Sequence, residues 1–315
     1  MIQKEEFYYD SGDGIHKIYA VKWIPETEDI LGVVQIVHGM AEHIERYETF
    51  ADYLAKRGIA VVGNDHLGHG KSVNNKEEYG YFCKKDAVTI VVRDIYRLKK
   101  LIQEENPGKP YYILGHSMGS LLLRNYLFKY GTDIDGVILS GTASHSPLKI
   151  ISGKALLQLI ALFKGLNYHS KLADMLVNGN SNERIENKRT RFDWLSTDEE
   201  IVDTYVKDEA CGFLFTVNGF LTLLQSVDNL NKKKYLANMP KSLPVLFLSG
   251  EQDPVGGYTA GVKRAYRQFE KAGMKCLSLK FYADCRHEIL NEKNKKEVYE
   301  DIYAFLMIHN EKKTK

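Results

Sequence analysis

The sequence predicts an α/β fold: a mostly parallel sheet flanked by helices, interrupted once by an inserted helical segment. Three observations carry that expectation. Short apolar runs bounded by Gly or Pro alternate with longer amphipathic runs from residue 32 to residue 308. One short run passes through Gly115-His116-Ser117-Met118-Gly119 straight into a helical pattern. About a hundred residues separate the apolar runs at 135–139 and 244–248, where a strand-helix-strand crossover needs only a few tens.

Taken in order, residues 4–9 and 17–23 read as two strands around a Ser11-Gly12-Asp13-Gly14 turn, an antiparallel hairpin at one edge of the sheet. Residues 32–37 are a buried-type strand running into His38-Gly39-Met40-Ala41-Glu42-His43. An amphipathic helix over 47–57 closes at Gly58, and 59–62 is the next strand. A long helix over 85–105 ends at Asn106-Pro107-Gly108. Strand 109–114, a helix to residue 130 and strand 135–139 follow. Beyond the interruption come strand 244–248, helix 257–272 closed by Gly273, strand 277–282 and helix 295–308.

The interruption itself holds an apolar helical run at 147–166 and a polar loop, Asn178-Gly179-Asn180-Ser181-Asn182. An acidic helix start, Ser196-Thr197-Asp198-Glu199-Glu200, resembles a capping box. Residues 213–230 read as the crossover helix that rejoins the sheet. The expected organisation is therefore a core of residues 1–143 and 213–315 with a helical cap at 144–212. The charged tail at 310–315 is expected to fray.

Composition narrows the function classes. Of 315 residues, 44% are hydrophobic and 27% charged, as in ordinary globular domains. Lys and Arg number 43 against 41 Asp and Glu, which gives no basic footprint for nucleic acid. Cys83, Cys211, Cys276 and Cys285 are scattered with no Cys-x-x-Cys pair, which speaks for reduced thiols in a cytoplasmic protein rather than a zinc or redox site. The start Met1-Ile2-Gln3-Lys4-Glu5-Glu6 lacks the apolar centre of a signal peptide. No apolar run reaches the roughly 18 residues of a membrane span.

Gly-x-Ser-x-Gly between a strand and a helix has a physical meaning. The two glycines permit a turn too sharp for side chains, which exposes the Ser117 hydroxyl, and the helix start aims the Met118 N–H at any oxyanion formed beside it. A serine nucleophile needs a base, and the base needs an orienting group. In a parallel sheet these sit where the carboxyl ends of the strands converge. Asp253 follows the strand at 244–248 and His287 follows the strand at 277–282. Alone, Asp253 reads as a turn residue before Pro254 and His287 as a surface-loop histidine; together, after those strands, they supply the missing partners. Glu251 and Asp284 are the weaker candidate acids. The loop after strand 32–37 offers a second oxyanion donor, the Met40 N–H, with Gly39 letting the backbone turn; Gly39 and His116 are the candidate substrate contacts.

Two other readings fall away. His38, His43, His66 and His69 lack the helical spacing of a metal pair, so no metal is expected. Asp65-His66-Leu67-Gly68-His69-Gly70-Lys71-Ser72 has Asp65 where a phosphate loop needs its first glycine, so Gly68 and Gly70 are read as turn residues bordering the site.

The stretches 38–43, 65–72, 115–119 and Gly250-Glu251-Gln252-Asp253-Pro254 resemble the monoacylglycerol lipase and lysophospholipase branch of the α/β-hydrolases, which are also called serine-aminopeptidase-like. The chain order Ser, Asp, His matches that superfamily. The resemblance spans residues 10–308 and implies an α/β-hydrolase fold with its cap between the sixth and seventh strands. It further implies Ser117 as nucleophile, Asp253 as acid, His287 as base, Met40 and Met118 as oxyanion donors, and no cofactor. The activity implied is hydrolysis of a monoacylglycerol or lysophospholipid-like ester, a small amphiphilic substrate, through an acyl-enzyme. One departure is Met40-Ala41, where a common family form has Ala-Gly; the Met40 side chain would narrow the acyl pocket and leave its N–H available.

Alternatives are a small-ester carboxylesterase and a serine aminopeptidase or amidase, the latter needing a cap carboxylate such as Asp198, Glu199 or Glu200. A non-catalytic binding protein on the same fold is the alternative from another class, and the intact Ser117, Asp253 and His287 argue against it. The run 147–166 is apolar nearly all round, its only charges being Lys149, Lys154 and Lys164. Such a helix must be covered on more than one face, by other cap helices, an acyl chain or, transiently, a membrane surface.

Overall fold

The computed structural model describes residues 2–27 and 29–311. Eight strands form one sheet: β1 (Gln3–Asp10), β2 (Lys17–Ile24), β3 (Gly32–Val37), β4 (Ile59–Asn64), β5 (Tyr111–His116), β6 (Gly136–Ser140), β7 (Val245–Gly250) and β8 (Leu277–Tyr282). Their spatial order is β1-β2-β4-β3-β5-β6-β7-β8. The β1–β2 hairpin and the β2–β4 pair are antiparallel, and every other pair is parallel. Strands β3 to β7 are buried along their whole length, which is why they read as unbroken apolar runs rather than alternating ones.

The two faces of the sheet are covered by different helices. Val33, Val37, Ile113, Val137 and Phe247 point toward α2 (Ala87–Glu105), α3 (Met118–Tyr130) and α9 (Ala260–Lys271). Val34, Ile36, Leu114, Ile138 and Leu248 point the other way, toward α1 (Glu48–Ala55) and α10 (Lys295–Glu311). The period of two along each strand makes that division. Gln35 is buried in this core and satisfied, its amide donating to the Ile95 carbonyl and accepting from Tyr111 Oη.

Between β6 and α7 (Val217–Leu230) lie α4 (Pro147–Lys164), α5 (Lys171–Asn178) and α6 (Glu199–Lys207), in the stretch where the insertion is expected. Helix α4 leans on α7, burying Ile150 and Leu157. The α6 arm is tied to the core by polar contacts: the Gly212 N–H (2.9 Å) and Tyr205 Oη (2.8 Å) both donate to the Ala41 carbonyl, and His43 lies 2.8 Å from Asp208.

Several boundaries differ from expectation. Strand β5 runs on through Gly115 and His116, which keep pairing with Leu139 and Ser140, so the turn begins only at Ser117. Residues 44–47 form a 3₁₀ turn, and α1 starts after it at Glu48. Helix α7 starts at Val217 instead of 213, because Thr216 caps it and Phe213 is drawn out to stack on Tyr79. Helix α9 starts at Ala260, since Tyr258 and Thr259 take positive φ. The α6 cap is Asp198, which accepts the Glu200 N–H; Ser196, two residues earlier, instead accepts the Asp198 N–H. Helix α5 and a one-turn α8 (Lys233–Ala237) are short additional elements. Helix α10 continues through Asn310 to Glu311; the rest of the tail expected to fray lies outside the described residues. Among the described residues no helix is long and apolar enough to cross a membrane.

Candidate active site

Ser117 sits between the last residue of β5 and the first of α3 with φ 51° and ψ −120°. The glycines on either side have separate reasons. A Cβ on Gly115 would meet the Gly119 carbonyl oxygen at 2.8 Å, so it clears the first turn of α3. A Cβ on Gly119 would lie 2.0 Å from the Val37 carbonyl oxygen, so it lets α3 press on the end of β3. The Ser117 N–H donates to the Ser140 carbonyl at 2.9 Å, and its own carbonyl accepts from Ser120 N and Oγ. Every backbone bond is thus used to hold the turn while the side chain stays half-exposed.

His287 and Asp253 are buried, with Nδ1 3.0 Å from Oδ1. That contact lies off the hydrogen-bond line, and Asp253 Oδ1 also accepts the Val255 N–H at 2.8 Å. Burial opposes a charge on the His287 ring, but the Asp253 carboxylate, with Glu288 and Glu42 behind it, holds its pKa above 6.5. His116, 4.7 Å away ring to ring, is pushed down to about 3 by burial and by His287, so it stays neutral beside the triad-like group. Glu251 and Asp284, the competing acids, are exposed at the surface.

The loop after β3 carries Gly39 against Ser117: a Cβ on Gly39 would stand 3.2 Å from Ser117 Cβ. Ala41 takes φ 52°, a left-handed value usually filled by glycine. Glu42 Oε1 accepts the Gly39 N–H and Tyr47 Oη, while Oε2 takes Arg46. Arg46 also grips Glu288 through two 2.7 Å bonds. Against the cost of burial, that guanidinium holds Glu288 down at about 2. One cation therefore joins the loop of Met40 to the loop of His287.

Sequence reasoning assigned no role to Glu42, Arg46 or Glu288, although Glu42 stands within the stretch 38–43 that carries the family resemblance. It also missed Trp194, whose ring lies 5.1 Å from His287 and whose carbonyl accepts the His287 N–H at 3.4 Å. Nothing local in the sequence around Trp194 signals that contact.

Ser117, Met118, Gly39, Met40, His116 and His287 all line one cavity of about 690 Å³, in the usual range for ligand pockets. Its further walls are chiefly apolar: Leu121, Leu156, Leu157, Leu176, Leu223 and Leu224 among them. The acids in the wall are engaged, Asp174 with Arg191 and Glu42 and Glu288 with Arg46. Asp198, Glu199 and Glu200, the acids named for an amine-binding site, do not line it: Asp198 caps α6 and Glu199 pairs with Arg189. His43, Asp208 and Cys211 bring three metal-type donors together, but both Asp208 oxygens are already engaged, by His43 and by the Ala210 N–H, and burial pushes the Cys211 thiol up.

Sheet order, elbow and cavity define an α/β-hydrolase. The chain belongs to the serine aminopeptidase, S33, family, which it matches over residues 28–294. It is 27% identical over 311 residues to the monoacylglycerol lipase of Mycolicibacterium smegmatis, covering 97% of this chain and 98% of that one. It is also 27% identical over 262 residues to the monoglyceride lipase of Rattus norvegicus, covering 82% and 76%. A highly thermostable carboxyl esterase from Bacillus coagulans, solved in complex with glycerol, superposes with a TM-score of 0.89 at 29% identity, covering 98% of this chain and 100% of that one. The chain is accordingly a hydrolase of the lipase and esterase kind.

Proposed function

We propose that this chain hydrolyses the acyl ester of a monoacylglycerol or lysophospholipid-like amphiphile through an acyl-enzyme. One observation carries the reading: Ser117, half-exposed on a strained turn, shares a largely apolar cavity with His287, which is backed by Asp253. Ser117 Oγ attacks the acyl carbonyl while His287 Nε2 takes its proton. Asp253 holds the ring with its proton on Nδ1 and stabilises the imidazolium, and the Met40 and Met118 N–H groups receive the oxyanion. The Met118 N–H belongs to the free first turn of α3. His287 then protonates the leaving alcohol. Water, deprotonated by the same ring, attacks the acyl-enzyme and frees the fatty acid and Ser117.

In this reading residues 144–212 act as the cap, and the acyl chain lies among the leucines of α3, α4 and α7. The outward face of α4 and α5 is apolar and open, with Leu162 78% and Phe163 75% exposed and Leu148, Ile151 and Met175 alongside. A patch of this kind suits brief contact with a lipid surface, from which an amphiphile could enter.

Fluorophosphonate labelling combined with hydrolysis of a monomeric monoacylglycerol tests the proposal. The expected result is labelling at Ser117 and release of fatty acid. An unlabelled native protein overturns the serine mechanism, and labelling without lipid-ester turnover overturns the substrate class.

A further inference from the structure

We propose that His38 is a positioning residue: its Nδ1–H fixes the Gly39–Met40 peptide so that the Met40 N–H is presented to the oxyanion beside Ser117. The inference rests on the proposed role of Met40 as an oxyanion donor and says what aims that donor.

His38 follows β3 directly and is fully buried. Its Nε2 lies 3.0 Å from the His66 backbone nitrogen, which donates to it. A backbone N–H has no other role open to it, so Nε2 is bare and the proton of the imidazole is on Nδ1. Nδ1 is 2.8 Å from the Gly39 carbonyl oxygen, and the Nδ1–H therefore donates to it. Burial, with His66 and His69 close by, lowers the pKa of the ring well below 6.5, in keeping with one proton and one bare nitrogen. In a planar trans peptide the C=O and N–H point opposite ways. Pinning the Gly39 carbonyl to His38 sends the Met40 N–H to the other side, and that N–H has no partner among the described residues. The preceding peptide is held as well, by the Gly39 N–H bond to Glu42.

The loop after β4 sets this tautomer. His66 gives its N–H to His38 Nε2, and its own Nε2, 3.2 Å from the His38 carbonyl oxygen, acts as a donor there. That leaves His66 Nδ1 bare, and this atom is buried without a partner. The two rings lie against each other, tilted by 37° with centroids 4.1 Å apart. The segment 65–72 thus decides which nitrogen of His38 bears the proton.

Two substitutions separate this role from simple packing. In His38→Asn the amide nitrogen can take the place of Nδ1 and donate to the Gly39 carbonyl. In His38→Gln the amide reaches toward the Nε2 position and leaves that carbonyl bare. On a monomeric ester, His38→Gln should lose on the order of 10²-fold in kcat with KM within about threefold, and bind a boronic acid transition-state analogue correspondingly more weakly. His38→Asn should stay within about tenfold of the native kcat. Equal losses in both variants, or a loss confined to KM, overturn the proposal. ¹⁵N NMR of the native protein gives a check free of any folding defect: His38 should show a protonated Nδ1 and a bare Nε2, and the reverse tautomer overturns it. Ser117→Ala in the same assay keeps the two readings apart. An active Ser117→Ala removes the catalytic reading itself, whereas an inactive Ser117→Ala beside a fully active His38→Gln removes only the role of His38.

Discussion

At Ser117 a left-handed backbone is held by bonds on both sides, and the strain is spent on presenting one hydroxyl. Ser117→Ala should keep the fold, because the bonds that hold the turn run through its backbone and not through Oγ, and should lower turnover on the order of 10⁴- to 10⁶-fold; a thermal melt and an ester assay on the same preparation check both halves. Asp253→Asn should cost roughly 10⁴-fold, because an amide beside Nδ1 favours the wrong tautomer, while Asp284→Asn, at the exposed surface, should cost little. A larger loss in Asp284→Asn would reassign the acid. The same pair predicts a pH effect. Burial works against a charged His287, but Asp253 holds the pKa of the ring above 6.5, so the neutral base is present only at higher pH. The acid limb of kcat/KM should therefore lie above pH 6.5 and move to lower pH in Asp253→Asn. An unmoved limb would mean that another group titrates there.

Helix α4 shows how far a sequence pattern reaches at the scale of an element. Its apolar periodicity makes it a helix, but nothing in that pattern says which side is covered. In the fold Leu157 is 4% exposed under α7, while Leu162 and Phe163 point out. Leu157→Ala should therefore cost about 2–5 kcal/mol in denaturant unfolding. The double change Leu162→Ser and Phe163→Ser should leave stability within about 1 kcal/mol, being at exposed positions. If α4 docks on lipid, the same double change should lower partitioning to vesicles at least about tenfold, since each buried side chain contributes roughly 1.5–3 kcal/mol. Turnover of monomeric ester should be nearly unchanged. Equal vesicle binding by the native and doubly changed proteins would rule out docking through this face.

For the whole molecule, the decisive feature is a cavity walled by the loops after β3, β5 and β8 on one side and by α4, α5 and α7 on the other. An acyl chain entering it gains up to ~0.8 kcal/mol per buried methylene, about fourfold in specificity. Catalytic efficiency on monomeric glycerol esters should rise by tens of fold or more from a four-carbon to a medium acyl chain. A profile that is flat, or that falls beyond four carbons, would favour the small-ester alternative. The α6 arm is hydrogen-bonded to the Ala41 carbonyl, and α4 is held on α7 by apolar packing and by Lys154, which donates to Gln225 and pairs with Asp228.

By itself the sequence determined the α/β alternation, the hairpin edge and the strand-turn-helix around Ser117. These rest on local rules: a period of two against one near 3.6, and glycine where the backbone must turn tightly. It also placed Ser117, Asp253 and His287 after three strands of a parallel sheet, where the topology brings their loops to one end. Only the tertiary structure decided that Arg46 would bind Glu288, 242 residues away, that Trp194 would lie beside His287, and that His66 would choose the tautomer of His38. It alone decided, too, which face of α4 is left open. Such pairings join residues with no fixed spacing along the chain, and they exist only once packing has removed water from both partners.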